Sequence, residues 1–444
     1  MCEPLGLEYV AAAAMRDGWS CGVLWEPDPD LALEEIVRGE PSVVCFSVYS
    51  SGARSARQLR SRIRRVLPRT RFVFGGPHPS AALDLLDGRG DTVVVAGEGE
   101  EVISEVLSAM ASGGMPEEKC GVYSERGEAR LIRPARPPSW GRIPWPLRSK
   151  EILRRAGIRT LSPGSPEDAH GMATVCAMRG CANDCFYCGM SVVHGPGVRI
   201  RDYSDFAEEL RYLHDSLSIR QYFLVDAYVN ASARHLRGVA DAFAAVCPDS
   251  TWSGHFSLRS ATEDSVRRLA ESGCRKLLVG IESLDDGVLR GLQGRPFLGR
   301  SDMFERLQWI DAHGVLSRAF LMVGLPGDTP RSLAENLRHV EQLPVDELHV
   351  TYYTPTPGTA AFDDPSVRWL RPDRRYDGIT LHQPALKPLH MSVEQLVNAR
   401  TAMLRRFYGS PLYRRRIEAK AQRFPTLALP IRRFQSLVRR WGYA

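Results

Sequence analysis

The sequence lacks the features that mark secreted and membrane-spanning proteins. Its start shows no charged-then-apolar secretion signal, and no apolar run is long enough to cross a bilayer. It also lacks internal repeats and low-complexity stretches. Without a secretory signal, its 10 cysteines are more readily explained as thiols or metal ligands than as disulfides. We therefore expect a cytoplasmic protein with no membrane partner and two or three domains.

Acidic residues are scarce at the C-terminal end. The net charge is +6 overall, and residues 411–444 contain nine Lys or Arg against one Glu. A basic tail can bind nucleic acid. Its apolar residues instead recur at helical spacing, which favours a helix that packs one face and turns its arginines outward. No RNA-binding β-barrel and no aromatic–basic stripe outside this tail is evident, so we expect no nucleic-acid partner.

The first part of the chain alternates short apolar strands with helical segments, which predicts a doubly wound parallel sheet with helices on both faces. The predicted strands are GVLWEP, VVCFSVYS, RFVFGGPHPS and TVVVAGEGE. Glycine-rich turns follow the last two strands, and ligands of such sheets bind beyond the carboxyl ends of the strands. We assign this α/β domain to residues 1–133 and an irregular linker, rich in Pro and Arg, to residues 134–170.

A second series of strands and helices begins at Gly171. Its predicted strands are ATVCAM, QYFLVDA, TWSGHFSL, KLLVGIE, SRAFLMVG and ELHVTYY. Six such units predict an open, partial (β/α)6 barrel over residues 171–362 rather than a closed eight-stranded one. Residues 363–444 predict a mainly helical C-terminal region, in which YDGITLHQPALKP covers the barrel.

Three cysteines with the spacing CxxxCxxC follow the first barrel strand, in the run RGCANDCFYC. A structural zinc ion takes four protein ligands, whereas three thiolates hold three corners of a four-iron cluster and leave one iron open. The spacing therefore predicts a 4Fe-4S cluster held by Cys181, Cys185 and Cys188. Cys176, within the apolar run ATVCAM, is interpreted as a strand residue rather than a fourth ligand.

This motif resembles that of the radical S-adenosylmethionine (SAM) superfamily. The resemblance implies that the open iron chelates SAM and that an electron from the cluster cleaves SAM to a 5′-deoxyadenosyl radical. It also implies an electron donor of the flavodoxin or ferredoxin type. By position, Tyr187 would contact the adenine of SAM, and Arg259 would pair with its carboxylate. Glu282 would contact the ribose or the amino group, and Gly324, in the turn GLPGDT, would lie beside the adenine.

Two further residues are candidates for acid–base catalysis. In the family an acid at the position of Asp226 lies near the SAM amino group or the substrate, although the usual second acid is Ala227 in this sequence. Strand parity places His255 on the same face as Ser257 and Arg259. We therefore predict that Asp226 and His255 face the substrate, with Asp226 also close to SAM.

The N-terminal domain resembles the cobalamin-binding domain of class B radical SAM enzymes. The matching segments are PLGLEYVAAAAMRDG, FSVYSSG, GGPHPS and GEGE. In that family a central strand precedes PLGL, whereas here Met1 is three residues from Pro4. Either the chain continues upstream or the domain is truncated and degenerate. No DxHxxG motif offers a histidine to cobalt, and His78 is interpreted as structural. We therefore expect no bound cobalamin.

The missing strand guides the functional hypothesis. We expect a radical SAM enzyme that abstracts hydrogen from a small natural-product substrate, as in the dehydration of a diol on an aminoglycoside sugar during antibiotic biosynthesis. A cationic aminosugar needs carboxylates around it, which Asp226 and the acids of the GEGE turn would supply. The alternative within the class is a cobalamin-dependent C-methyltransferase of natural-product biosynthesis. The alternative outside it is an RNA-binding or RNA-modifying protein.

Overall fold

The computed structural model of the chain describes residues 3–118, 121–124, 134–136, 139–149, 172–372 and 380–443. Two parallel sheets with flanking helices follow one another along the chain, and a helical region ends it. The predicted α/β fold class is therefore confirmed. Most of the predicted linker, from residue 150 onward, and the first part of the covering segment, residues 376–379, lie outside the described residues.

The N-terminal sheet has four strands in the order β1–β2–β3–β4, of which the first three are parallel and the last is antiparallel. The strands are β1 (Val43–Ser47), β2 (Arg71–Gly75), β3 (Thr92–Val95) and β4 (Val122–Tyr123). The helices are α1 (Leu5–Arg16), α2 (Pro29–Gly39), α3 (Ala53–Val66) and α4 (Ile103–Ala111). The carboxylate of Asp28 accepts the amide hydrogens of Asp30 and Leu31 and so caps α2.

The predicted strand GVLWEP is wrong, because residues 22–27 form no strand. In the described residues β1 pairs only with β2, and its apolar side chains are half-buried. Within the described ranges no strand pairs with the other side of β1, which is therefore an edge of the sheet there.

The second sheet has six parallel strands in the order β12–β11–β10–β9–β8–β5. They are β5 (Met172–Val175), β8 (Gln221–Leu224), β9 (Thr251–Phe256), β10 (Cys274–Glu282), β11 (Leu316–Val323) and β12 (Glu347–Tyr352). A hairpin of β6 (Met178–Cys181) and β7 (Gly197–Ile200) is inserted after β5. Since β5 and β12 are the edges of this sheet, it is the open six-stranded barrel that the sequence predicts.

Helices cover the outer face of the barrel. After α5 (Met190–His194), which lies within the hairpin between β6 and β7, these helices are α6 (Tyr203–Arg211), α7 (Ala233–Val246), α8 (Glu263–Glu271), α9 (Asp286–Gly291), α10 (Arg300–Ala312) and α11 (Pro330–His339). Alternate strand residues such as Val279, Leu321 and Val350 pack beneath them in the main hydrophobic core. The intervening residues Phe223, Leu278 and Phe320 are half-buried and lie outside this core. They line the inner face of the barrel.

At both edges of the barrel sheet, side chains form hydrogen bonds with backbone groups of the edge strand. On β5, the Thr174 amide donates to Glu3, and the Thr174 carbonyl oxygen accepts from Arg148 Nη2 at 2.6 Å. On β12, the Tyr408 hydroxyl accepts from the Leu348 amide at 2.8 Å and donates to the Leu348 carbonyl oxygen at 2.9 Å. These contacts occupy edge groups that would otherwise pair with another chain.

The C-terminal region comprises α12 (Val393–Gly409), α13 (Pro411–Arg423) and α14 (Ala428–Arg440). In α14 the apolar face is buried at Ile431, Phe434 and Val438, as the sequence predicts. Lys420 is buried and pairs with Asp346 at 2.8 Å, so part of the basic charge serves packing. No helix among the described residues is both long and apolar enough to cross a membrane.

Candidate active site

The three predicted cluster ligands lie together at the end of the β6–β7 hairpin. Cys181 is the last residue of β6, and Cys185 and Cys188 follow in a turn closed by the Cys188 amide, which donates to the Cys185 carbonyl oxygen at 2.9 Å. Gly180 lies within β6 with φ of +85°. A Cβ there would overlap the Gly197 carbonyl oxygen across the hairpin. Glycine is therefore required beside the first ligand.

The three thiols lie in a partly buried setting. All three cysteines are half-buried and free of disulfides. Burial raises the pKa of Cys185 to about 11, an effect that Arg295 opposes. No three His, Cys, Asp or Glu side chains within the described ranges converge on one ion. Three thiolates would hold three irons of a 4Fe-4S cluster, whose positive charge would stabilise them in this buried setting.

Cys176 differs from these three. It is 6% exposed, and its Sγ donates to the Met178 carbonyl oxygen at 3.3 Å. Burial raises its pKa far above the usual range for a thiol. It follows β5 directly and packs with Tyr9 and Trp140. This environment is that of a buried structural thiol.

Asp226 anchors the chain at the point where the cluster hairpin begins. One carboxylate oxygen accepts the amides of Ala177 and Met178 at 2.8 and 2.9 Å, and the other contacts His235 Nε2 at 2.8 Å. His235 Nδ1 lies 3.2 Å from the Tyr203 hydroxyl. At 1% exposure, Asp226 is committed to these partners. In this structure it positions the hairpin, and its predicted contact with SAM or substrate stays a prediction.

A second anchor is the loop after α9. The Gln293 carbonyl oxygen accepts the amide of Phe186 at 3.3 Å. Gly294 has φ of +68°, and a Cβ there would overlap the backbone of Asp184. The cluster turn therefore rests on the backbone of residues 293–294, and Gly294 is needed for this close approach.

Arg295 joins two of the predicted SAM-binding residues. Its Nη1 lies 2.6 Å from Glu282 Oε1 and donates to the Tyr187 hydroxyl at 3.2 Å, while Nη2 donates to the Gly280 carbonyl oxygen at 2.9 Å. Glu282 ends β10 with φ of +63°, beside a register shift in the pairing with β11. Our sequence reasoning missed Arg295. The signal that could have pointed to it is an arginine between glycine and proline in the loop QGRPF after α9.

The other predicted residues surround the same end of the barrel. Arg259 lies in a short 3-10 turn after β9, and its Nε donates to the Pro296 carbonyl oxygen, so it adjoins the loop that carries Arg295. Gly324 follows β11 with φ of +84°, and its amide donates to Asp328 Oδ2 at 2.8 Å. It lines a cleft together with Tyr353.

His255 faces the barrel interior. Its ring meets Phe223 edge to face, with 5.7 Å between the ring centroids. Burial lowers the pKa of His255, an effect that Asp226 opposes. On β12, His349 makes a similar contact with Phe320 at 5.6 Å, and burial lowers the pKa of His349 to about 4. At these positions the inner face therefore carries aromatic rings and imidazoles that are neutral at neutral pH.

The acids of the GEGE turn do not reach this interior. Glu98 and Glu100 are buried and contact Arg179 of the cluster hairpin, each at 2.7 Å. The expectation that they supply carboxylates to a cationic substrate is therefore wrong. The turn serves instead as the contact between the N-terminal domain and the hairpin.

The N-terminal domain directs its carboxyl strand ends toward the cluster hairpin. Glu98 follows β3 and contacts Arg179 of the hairpin. Gly358 lies between Ala81, in the loop after β2, and Val192 of α5: a Cβ built on this glycine would be 3.0 Å from Ala81 Cβ and 2.9 Å from Val192 Cγ1. A ligand bound beyond these strand ends would therefore adjoin the cluster.

If this domain binds cobalamin, none of its histidines is free to coordinate the cobalt. His78, the one histidine of residues 1–133, is 0% exposed and lies 2.8 Å from Asp84 Oδ1 and 3.1 Å from Ser50 Oγ. Both ring nitrogens are thus occupied, which agrees with the structural role predicted for His78.

Comparison with known proteins gives the class. The model of the B12 binding domain matches residues 1–107, and that of the radical SAM superfamily matches residues 175–340. The chain therefore combines a B12 binding domain with a radical SAM domain, which supports the predicted cobalamin-domain subgroup of the radical SAM superfamily.

Relatives match along most of the chain. An uncharacterized methyltransferase, PH0819, of Pyrococcus horikoshii is 23% identical over 92% of this chain and 87% of its own. The hopanoid C-3 methylase of Methylococcus capsulatus is 26% identical over 92% of this chain and 77% of its own. The solved structure of the radical SAM methyltransferase TsrM from Kitasatospora setae, with cobalamin and a 4Fe-4S cluster, has a TM-score of 0.65. It is 19% identical and covers 81% of this chain and 74% of its own, so it shows a shared fold.

Proposed function

We propose that the protein is a cobalamin-dependent radical SAM methyltransferase that acts on a small molecule. The observation that carries the proposal is the arrangement of the two sheets, whose carboxyl strand ends both adjoin one cluster hairpin. When bound, the cluster and SAM supply a carbon-centred radical, and cobalamin supplies a methyl group. A shared hairpin would place the two groups side by side.

The comparisons favour this alternative over the dehydration that the sequence analysis preferred. The names of two relatives and of the TsrM structure describe methyl transfer, and the TsrM structure contains cobalamin. The expectations of a domain without cobalamin and of an aminosugar dehydratase gain no support from them.

The side chains of the barrel interior indicate which kind of substrate would fit there. Its carboxylates within the described ranges all have partners: Asp226 holds amides and His235, Glu282 pairs with Arg295, and Glu347 pairs with Lys276 and Arg318. A polycationic aminosugar would find no unpaired carboxylate among them. The half-buried rings of Phe223 and Phe320 suit a substrate with an apolar or aromatic portion.

The test requires no known substrate. The protein is reconstituted anaerobically with iron and sulfide, incubated with or without hydroxocobalamin, and separated by gel filtration before SAM and a reductant are added. We expect retained cobalt and cobalamin-dependent formation of S-adenosylhomocysteine, the product that remains when SAM gives up its methyl group. Absence of retained cobalt, with SAM converted only to 5′-deoxyadenosine, would favour dehydration instead. The Cys185→Ala variant controls for chemistry that does not need the cluster.

A further inference from the structure

We infer that the N-terminal domain has a second role, separate from any ligand that it binds: it holds the cluster hairpin in position through Arg179. This residue lies on β6, two positions before the first cluster ligand, and its side chain is 7% exposed. Its Nη1 donates to Glu98 Oε2 and its Nη2 to Glu100 Oε1, both at 2.7 Å. One guanidinium thus spans two carboxylates of the other domain.

Two aromatic rings enclose the same guanidinium. Arg179 Cζ lies 4.7 Å from the ring centroid of Tyr9 on α1 and 5.1 Å from that of Trp140. Both rings are buried. A planar, delocalised cation fits between two rings and two carboxylates, and a lysine ammonium does not reproduce this arrangement.

Glu98 extends the contact to the rest of the hairpin. It also accepts from Arg199 on β7 and lies 2.8 Å from His194 Nδ1 at the end of α5. The strand before the three ligands, the helix after them and the returning strand therefore share one buried carboxylate. A single residue of the N-terminal domain holds both sides of the cluster turn.

The hairpin depends on such contacts because it is a separate two-stranded sheet, joined to no strand of the barrel within the described residues. Asp226 fixes only its entry, at Ala177 and Met178. Arg179 is therefore a positioning residue that acts through the cluster ligands. The consequence is that the N-terminal domain would be needed for cluster function even in protein that contains no cobalamin.

The test uses cobalamin-free protein, so that its outcome is independent of the proposed methyl transfer. Arg179→Lys keeps the charge but loses the two-carboxylate contact and the stacking. At matched iron content, we expect an altered electron paramagnetic resonance spectrum of the reduced cluster. We also expect 5′-deoxyadenosine formation to fall by on the order of 10²-fold, as for misplaced reacting groups. Arg267→Lys, which alters an exposed ion-paired arginine on α8, is the matched control.

A milder variant keeps the inference testable if Arg179→Lys does not fold. In Glu100→Gln, Arg179 keeps its ion pair with Glu98 and loses only the one with Glu100. We expect this variant to lose its cluster in air faster than the wild type, and to change the spectrum of the reduced cluster less than Arg179→Lys. A wild-type spectrum and wild-type SAM cleavage in Arg179→Lys would overturn the inference. So would a Glu100→Gln variant that matches the wild type when Arg179→Lys is insoluble.

Discussion

Gly294 lies directly against the carbonyl group of Asp184, in the turn between the first and second cluster ligands. The two residues belong to different barrel units, and they meet backbone to backbone. It shows how the fold builds the site: loops after separate strands support one hairpin, the loop of Gly294 through its backbone and Asp226 through its carboxylate.

The first prediction follows from this contact. Gly294→Ala should abolish or strongly reduce cluster binding, because the added methyl group overlaps the Asp184 backbone and alanine disfavours φ of +68°. The measurement is iron content and visible absorption after reconstitution. Gly291→Ala, at a helical position with no atom within 4 Å of the added carbon, should bind the cluster normally. Normal cluster content in Gly294→Ala would show that the turn does not rest on this loop.

The cluster ligands themselves give a second prediction. Alanine at Cys181, Cys185 or Cys188 should abolish 5′-deoxyadenosine formation, because each loss removes one corner of the cluster. Cys176→Ala should retain most of the activity, since this thiol is buried against a backbone carbonyl. Equal loss in all four variants would mean that Cys176 is also a ligand.

The third prediction separates a positioning role of Asp226 from a catalytic one. Asp226→Asn should destabilise the fold by about 2 kcal/mol for each charge-assisted hydrogen bond lost, and it should lower iron content. Denaturant unfolding and iron analysis measure both effects, with the exposed Asp241→Asn as control. If Asp226→Asn keeps wild-type stability and cluster content but loses turnover, Asp226 acts on the substrate or SAM instead.

Sequence reasoning succeeded where the signal is local. The six barrel strands are short segments rich in apolar and aromatic residues, and the three ligands lie within eight residues. It failed where formation depends on a neighbour, as for GVLWEP, whose apolar pattern is that of a strand but which pairs with no strand among the described residues. The contacts of Arg295 and Arg179 were missed because their partners are far away in the sequence. Tyr187 is 108 positions from Arg295, and Glu98 is 81 positions from Arg179.

The fourth prediction concerns SAM affinity. Arg259→Lys should weaken SAM binding although the charge is kept, because a two-point contact with a carboxylate needs the planar guanidinium. Arg295→Lys should also weaken it, since Tyr187 and Glu282 would lose their common partner. Equilibrium dialysis of SAM against the reconstituted protein tests both, with Arg267→Lys as control. Wild-type affinity in Arg259→Lys would remove this residue from the SAM site.

The last prediction concerns pH and the contact between the N-terminal residues and the barrel edge. Glu8 is 0% exposed, and Arg148 lies 3.0 Å from its Oε2 while also pairing with Glu3. Burial, together with the charge of Glu3, raises the pKa of Glu8 from 4.5 to about 8. The folded protein therefore holds this proton over a pH range in which the unfolded chain has released it.

Because the unfolded chain binds fewer protons in that range, stability should fall as pH rises from 4.5 to about 8 and then level off. Glu8→Gln mimics the protonated form and should remove this fall. We expect equal melting temperatures for variant and wild type near pH 5, and a more stable variant at pH 8, by on the order of a few kcal/mol. The exposed Glu34→Gln on α2 is the control. A Glu8→Gln variant that is less stable at pH 8 would show that Glu8 is ionised and that its pair with Arg148 stabilises the fold.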